Sequence, residues 1–211
     1  MTLAERYHGM LSWFAANMPE ADSELNYRNP YELLVAVMLS AQCTDKRVNM
    51  VTPALFDRFP DAEALSAASF DEVLSYVKSV SYPNAKAEHL VAMGKMLKRE
   101  FAGVVPSTME ELTRLPGVGR KTANVMLAVA FGKPAMPVDT HVFRVSNRIG
   151  LTRNSKTPEE TERRLVKYIP SEVLGRAHHW LLLHGRYVCT AKNPKCASCG
   201  IAEWCSSYGK L

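Results

Sequence analysis

The chain has 211 residues, 47% of them hydrophobic and 22% charged, with a formal net charge of +5. That composition excludes an intrinsically disordered chain, and the length allows one large domain or two small ones. The basic balance favours an anionic partner, nucleic acid first, although charge alone leaves an ordinary basic globular protein equally open. The N-terminus shows no basic segment leading into an apolar core. Apolar runs such as Leu33 to Leu39 are too short to span a bilayer, so a soluble intracellular protein without a membrane partner is expected.

Leu3 to Met18 reads as an amphipathic helix, with Leu3, Tyr7, Met10, Leu11 and Phe14 at helical spacing. Asn29-Pro-Tyr-Glu32 is a helix start, with Asn as cap and Pro at the first position. The helix that follows, to about Ala41, is apolar nearly all round and belongs in the core. It ends at Ser40-Ala-Gln-Cys-Thr44, where Gln42 reads as an exposed loop residue. Thr44-Asp45 opens a helix that turns Val48, Val51, Leu55, Phe56 and Phe59 inward. Pro53 either kinks it or restarts it with Thr52 as cap. Ser69-Phe-Asp-Glu72 begins another helix. Ser81-Tyr-Pro-Asn84 breaks it, and Asn84 caps a further helix to about Glu100. Tyr82 in that break is either a surface aromatic or a stacking platform for a base.

Ser107-Thr-Met-Glu110 has the capping-box pattern of a short helix, and Leu115-Pro-Gly-Val-Gly-Arg-Lys-Thr-Ala123 follows. Pro116, Gly117 and Gly119 cannot continue a helix, so the stretch reads as helix, tight glycine turn, helix, the second from Arg120 to Phe131. Such a turn presents backbone N–H groups at a helix N-terminus, where phosphate binds, and Lys121 stands beside that place. Lys133-Pro-Ala-Met-Pro137 is too proline-rich for a helix. Asp139 then caps a helix carrying Val142, Phe143, Val145 and Ile149. Thr157 caps the next, and Arg176 to Tyr187 forms another, with Trp180, Leu181 and Leu183 buried. No sustained period-two alternation occurs, so the fold class is all-α.

Four of the five cysteines crowd into Cys189-x6-Cys196-x2-Cys199-x5-Cys205. In a reducing compartment this points to a metal centre rather than disulfides. Zinc held by four thiolates usually uses two close pairs, and only Cys196 and Cys199 form one. An iron–sulfur cluster accepts wider, uneven spacing, and the pattern favours it. Cys43 stands apart as a packing cysteine. Arg186, Lys192 and Lys195 lie on or near the longest inter-cysteine loop. They are either a solvated basic face or a loop that the metal centre holds toward a phosphate backbone.

Lys121 and Asp139 are the candidate catalytic pair. A lysine attacks only when neutral, which near neutral pH needs its pKa lowered by roughly 2–3 units from about 10.4. A helix N-terminus supplies only about 0.3–1 kcal/mol of that, so desolvation must supply most of the rest. The plain alternative for Lys121 is a phosphate contact. Asp139 has an equally plain role as a cap; capping also keeps it ionised, as stabilising a cationic sugar requires.

Leu115–Ala123, Val138-Asp-Thr-His141 and the cysteine spacing together resemble the endonuclease III family of helix-hairpin-helix DNA glycosylases. The likeness extends to Leu39-Ser-Ala-Gln42 and His179-Trp-Leu-Leu-Leu-His-Gly-Arg-Tyr187. It implies a bifunctional enzyme of base excision repair acting on oxidised pyrimidines or abasic sites in double-stranded DNA, as a monomer in the bacterial cytosol. The damaged nucleotide is flipped out between two domains. Lys121 attacks C1′ and expels the base, and the Schiff base then permits β-elimination on the 3′ side. Asp139 assists base loss. Cys189, Cys196, Cys199 and Cys205 match the ligands of a [4Fe-4S] cluster, and Gln42 the residue that enters the gap left by the flipped nucleotide. Gly117, Gly119, Tyr82 and Lys192 are the remaining candidate DNA contacts. The implied division is a six-helix domain at 23–133 and a cluster domain from 1–22 plus 134–211.

Two positions depart from the family pattern. Ser81-Tyr82-Pro83 stands where a Gly-Leu-Tyr wedge is usual, making Tyr82 the wedge, and Thr113 replaces an acid before the hairpin. Two rivals are an adenine-removing glycosylase and a non-catalytic DNA-binding module. The first lacks the lysine and carries a further C-terminal domain; the joint presence of Lys121 and Asp139 argues against the second.

Overall fold

The structure, a computed structural model, describes residues 1–210. Among them every regular element is helical: α1 (Leu3–Asn17), α2 (Pro30–Ser40), α3 (Asp45–Arg58), α4 (Ala62–Ser66), α5 (Phe70–Val77), α6 (Pro83–Phe101), α7 (Met109–Arg114), α8 (Arg120–Val125), α9 (Thr140–Ile149), α10 (Pro158–Tyr168) and α11 (Leu174–Tyr187). The chain divides into two compact units, Ser23–Gly132 and Met1–Asp22 with the residues from Lys133 onward. No helix is long and apolar enough to cross a membrane.

In the unit Ser23–Gly132, α2 is the core element. Tyr31 through Leu39 are all buried, so its amides and carbonyls must find partners within the protein. Asn29 accepts the Glu32 N–H at its N-terminus, and Glu32 itself takes the Arg28 backbone and guanidinium. Helices α4 and α5 pack along α6. At Gly94 of α6 an added Cβ would lie 3.0 Å from Leu65 and 3.1 Å from the Ser66 backbone nitrogen, which sets the close approach of α4.

In the other unit, α1, α9, α10 and α11 enclose Met10, Phe14, Val142, Val145, Ile149, Trp180 and Leu181. Phe14 stacks on Trp180 with ring centres 5.9 Å apart, and the Trp180 indole donates to the Met18 carbonyl at 2.8 Å. Two reciprocal notches lock the C-terminal segment onto α1: Trp204 fills the space beside Gly9, and Trp13 the space beside Gly200. Arg6, only 6% exposed, donates to the Ile149 and Trp204 carbonyls.

Several local expectations are corrected. Helix α3 runs on through Pro53 with Thr52 buried inside it, so there is no restart. The short α4, capped by Asp61, was not anticipated. Helix α6 begins at Pro83 rather than behind an Asn84 cap, because proline's fixed φ and missing N–H suit the first helical position. Helix α7 is capped one residue later than the pattern suggested. Thr108 accepts the Glu111 N–H and donates to its carboxylate. The helix after the glycine turn is not uniform: α8 passes into a π-turn at Met126–Ala130, closed by Phe131 N–H to the Met126 carbonyl at 3.2 Å. Leu183 is half-buried, and His184 takes the deep position.

Candidate functional site

The hairpin is built by Leu115-Pro116-Gly117-Val118. Val118 N–H donates to the Leu115 carbonyl at 3.0 Å, and Gly117 has φ +79°, the arrangement of a type II turn with proline second and glycine third. A side chain at Gly117 would also collide, because its Cβ would stand 2.9 Å from both His89 Cβ and Met38 Cε. The turn is thereby seated on α6 and α2. Gly119 differs. Its φ of −92° suits any residue, and nothing of the protein lies within 4 Å of where its Cβ would be. It leaves open space beside the first turn of α8. That turn has no side-chain cap and no acid, and it carries Arg120 and an exposed Lys121. This supports an anion at that place. Asn124, one turn beyond Lys121, is 3% exposed, and its side-chain nitrogen has no hydrogen-bond partner.

Gln42 and Tyr82 belong to the same unit. Each is an exposed, non-glycine residue with φ of +55°. Thr113 sits on the exposed side of α7, and its hydroxyl donates back to the Met109 and Glu110 carbonyls. Its hydroxyl is thus tied to its own helix.

The second set lies in the other unit. Asp139 caps α9, its carboxylate accepting the Val142 N–H at 2.8 Å. The segment entering that cap is held from α11, where His178 Nδ1 donates to the Pro137 carbonyl at 2.8 Å. Farther along α9, Arg144 donates to the Gly185 carbonyl at 2.8 Å and to the Cys189 carbonyl at 3.2 Å through Nε. Arg148 donates to Cys189 Sγ at 3.6 Å and to the Thr190 and Ala191 carbonyls at 2.7 and 2.8 Å. The helix that begins at Asp139 therefore also grips the start of the cysteine loop. Neither arginine was singled out from sequence. The signal was an i, i+4 pair of arginines on a helix whose other face is core.

Cys189, Cys196, Cys199 and Cys205 line one cavity with Ile149, His184, Val188, Ile201 and Tyr208. None of the four is in a disulfide. Burial pushes His184 down to about 4, and its Nε2 lies 3.7 Å from Cys199 Sγ. Among the described residues no three His, Cys, Asp or Glu side chains gather closely enough for a single ion. Four thiols around one apolar cavity, unevenly spaced in the chain, suit a cluster of several irons. The loop between Cys189 and Cys196 is ordered by Thr190 Oγ1 to the Asn193 carbonyl at 2.7 Å and Lys195 N–H to the Val188 carbonyl at 2.9 Å. Lys192 stands exposed between them.

Comparison with known proteins gives three findings. Residues 35–171 match the HhH-GPD superfamily of base excision DNA repair proteins, and residues 189–205 match the iron–sulfur binding domain of endonuclease III. Endonuclease III of Rickettsia felis is 48% identical over 92% of this chain and 91% of its own. Endonuclease III of Escherichia coli is 43% identical over 96% and 95%. The fold superposes on a trapped endonuclease III–DNA covalent intermediate with a TM-score of 0.92, at 42% identity over 98% of this chain and 97% of that one. A thermostable thymine-DNA glycosylase, at 23% identity, shares the fold with a TM-score of 0.89.

Proposed function

We infer the chemistry from the premise that the chain belongs to the endonuclease III family, within the HhH-GPD superfamily of base excision DNA repair proteins. It is a DNA glycosylase and abasic-site lyase, its partner is DNA, and its cofactor is a [4Fe-4S] cluster.

The finer assignments are our proposal. Lys121 is the nucleophile: its neutral Nζ bonds to C1′ of the flipped deoxyribose, and the base departs with the glycosidic electron pair and a proton. The sugar ring opens to a Schiff base on Nζ. Loss of a C2′ proton then expels the 3′ phosphate, which is β-elimination. Asp139, its carboxylate fixed by the α9 amide it accepts, stabilises positive charge that develops on the sugar as the base leaves. Gly117 and Gly119 give the phosphate backbone access to the amides at the start of α8. Gln42 and Tyr82 fill the gap in the duplex. The substrates are oxidised pyrimidines and abasic sites in double-stranded DNA, handled by a monomer in the bacterial cytosol.

Cys189, Cys196, Cys199 and Cys205 would hold the cluster, which supplies a covalent tie between the end of α11 and the C-terminal segment. That tie fixes the loop bearing Lys192, where its charge meets phosphate. In this reading residues 23–133 carry the hairpin and nucleophile, and 1–22 with 134–211 carry the carboxylate and the cluster.

The observation that carries the reading is the hairpin itself: a type II turn, an open flank at Gly119, and an exposed lysine in the next helical turn. The test is borohydride reduction during incubation with oligonucleotides bearing single oxidised pyrimidines. A covalent adduct is expected with the native chain and none with Lys121→Ala. An undiminished adduct in that variant would move the nucleophile elsewhere. Asp139→Asn should bind the same DNA and excise on the order of 10²-fold more slowly; near-normal turnover would leave Asp139 as a cap alone.

A further inference from the structure

Lys86 lies on the first turns of α6 and is 8% exposed, a rare place for an ammonium. Its Nζ donates to the Leu39 carbonyl and to the Ala41 carbonyl, both at 2.7 Å. Its backbone N–H donates to the Tyr82 carbonyl at 3.2 Å. The Lys86 side chain thus ties the backbone next to Gln42 to the first turn of α6, whose opening i→i−4 bond, from the Lys86 amide, reaches Tyr82.

The end of α2 explains why a cation is needed. This helix is buried from Tyr31 to Leu39, so the Leu39 carbonyl cannot turn to water, while Ser40 is half-buried and Ala41 exposed. Ser40 Oγ takes the Val37 carbonyl at 2.8 Å, and Cys43 N–H takes that of Ser40 at 3.0 Å. The Leu39 and Ala41 carbonyls take Lys86, where the helix dipole favours positive charge. Burial pulls the Lys86 pKa down, and the two carbonyls accept from the ammonium.

Both loops it joins are strained. Gln42 at φ +55° and Tyr82 at φ +55°, ψ +51° occupy the left-handed region without being glycine. Each such residue persists only where its surroundings over-determine it. The hairpin turn is seated on the same two helices, at Met38 of α2 and His89 of α6.

We propose that Lys86 is a positioning residue that fixes the Gln42 and Tyr82 loops in one register, so that both side chains enter the duplex together beside the hairpin. The proposal rests on the reading that Gln42 and Tyr82 enter DNA. A filler placed wrongly by about 1 Å can cost as much as a hundredfold in rate. A single-stranded abasic oligonucleotide has no gap to fill.

The test compares borohydride trapping rates, at single turnover, on one pre-formed abasic site in duplex and in single-stranded form. Lys86→Met keeps the stem and removes the donors. Its duplex-to-single-strand ratio should fall about 10- to 100-fold, and Lys86→Arg should recover part of it. A ratio equal to that of the native chain, with both rates falling alongside the melting temperature, would make Lys86 a fold residue and overturn the proposal. Should Lys86→Met not fold, Lys86→Gln, which keeps one amide donor, is read in the same way. Gln42→Ala and Tyr82→Ala separate the two failures. If neither lowers the duplex rate, the insertion reading fails. If they lower it while Lys86 variants keep the native ratio, only the role of Lys86 fails.

Discussion

The glycine hairpin and the cysteine loop both present a basic group to solvent, and they are held by opposite means. The hairpin is shaped from within by its own type II turn, which a notch at Gly117 seats against Met38 of α2 and His89 of α6. The cysteine loop has internal bonds too, Thr190 to Asn193 and Lys195 to Val188, but it is anchored from without, by Arg144 and Arg148 of α9 and by whatever its thiols ligate. A self-bonded turn should keep its shape whatever happens to the cofactor. A loop held by other elements should not.

The largest expected effect tests the first half of that contrast. Gly117→Ala meets both a positive φ and two contacts at 2.9 Å, and it should destabilise by roughly 2–4 kcal/mol in chemical denaturation. Gly119→Ala meets neither, so it should cost under about 1 kcal/mol as a poorer helix cap. Its effect should instead appear in weaker binding of abasic-analogue DNA, because the added methyl fills space left for the phosphate. If the two variants are equally stable, the turn is not self-supporting. If Gly119→Ala binds DNA normally, the open flank is not where the backbone lies.

Arg148→Met tests the second half. It removes a donor to Cys189 Sγ and two to the loop carbonyls. Protein purified without oxygen should contain iron and sulfide in equal amounts. On exposure to air the variant should lose its visible absorbance at least about tenfold faster than the native chain, the worth of one of the three charge-assisted hydrogen bonds it loses. The denaturation of the hairpin unit should not move. Equal decay rates would mean that the thiolates alone hold the loop, and the contrast would collapse.

The same contrast sorts what the sequence revealed. Features bonded within a few residues were legible. Asn29, Thr44, Ser69, Asp139 and Thr157 each accept the amide three residues on, where their spacing placed them. The hairpin and the cysteine spacing are local too, and the glycine at 117 needed its special φ as expected. Gly119 did not. Its use is the absence of a side chain rather than a conformation. The five-residue α4 is too short to show a helical period, and the π-turn in Met126–Ala130 leaves no spacing to read. Residues whose partners are distant in the chain were missed. Lys86 bonds a carbonyl 47 positions away, Arg148 a loop about 42 away, and His178 a carbonyl 41 away. Nothing in a one-dimensional pattern marks such bonds, and they are what aims the legible motifs.

The smallest expected effect distinguishes the units by acid. His178, His179 and His184 are buried in the unit that carries Asp139 and the cysteines, while the hairpin unit has no buried histidine among its described residues. Burial holds the His179 pKa below its usual 6.5, opposed by Asp22 at 4.0 Å and by a backbone bond at Gly175, with Arg186 adding to the depression and the His178 ring 4.9 Å away. The unfolded chain therefore binds a proton near pH 6.5 that the folded chain resists. Stability from this group is complete above that value and is lost as pH falls below it. Amide exchange in α11, corrected for the intrinsic rate, should lose protection between pH 7 and about pH 5, while α6 of the other unit holds its own. His179→Gln should reduce the α11 slope without changing α6, the remainder coming from His184, which burial also depresses. A parallel loss in both helices would mean that acid acts on a group the two units share, and that the histidines do not set them apart.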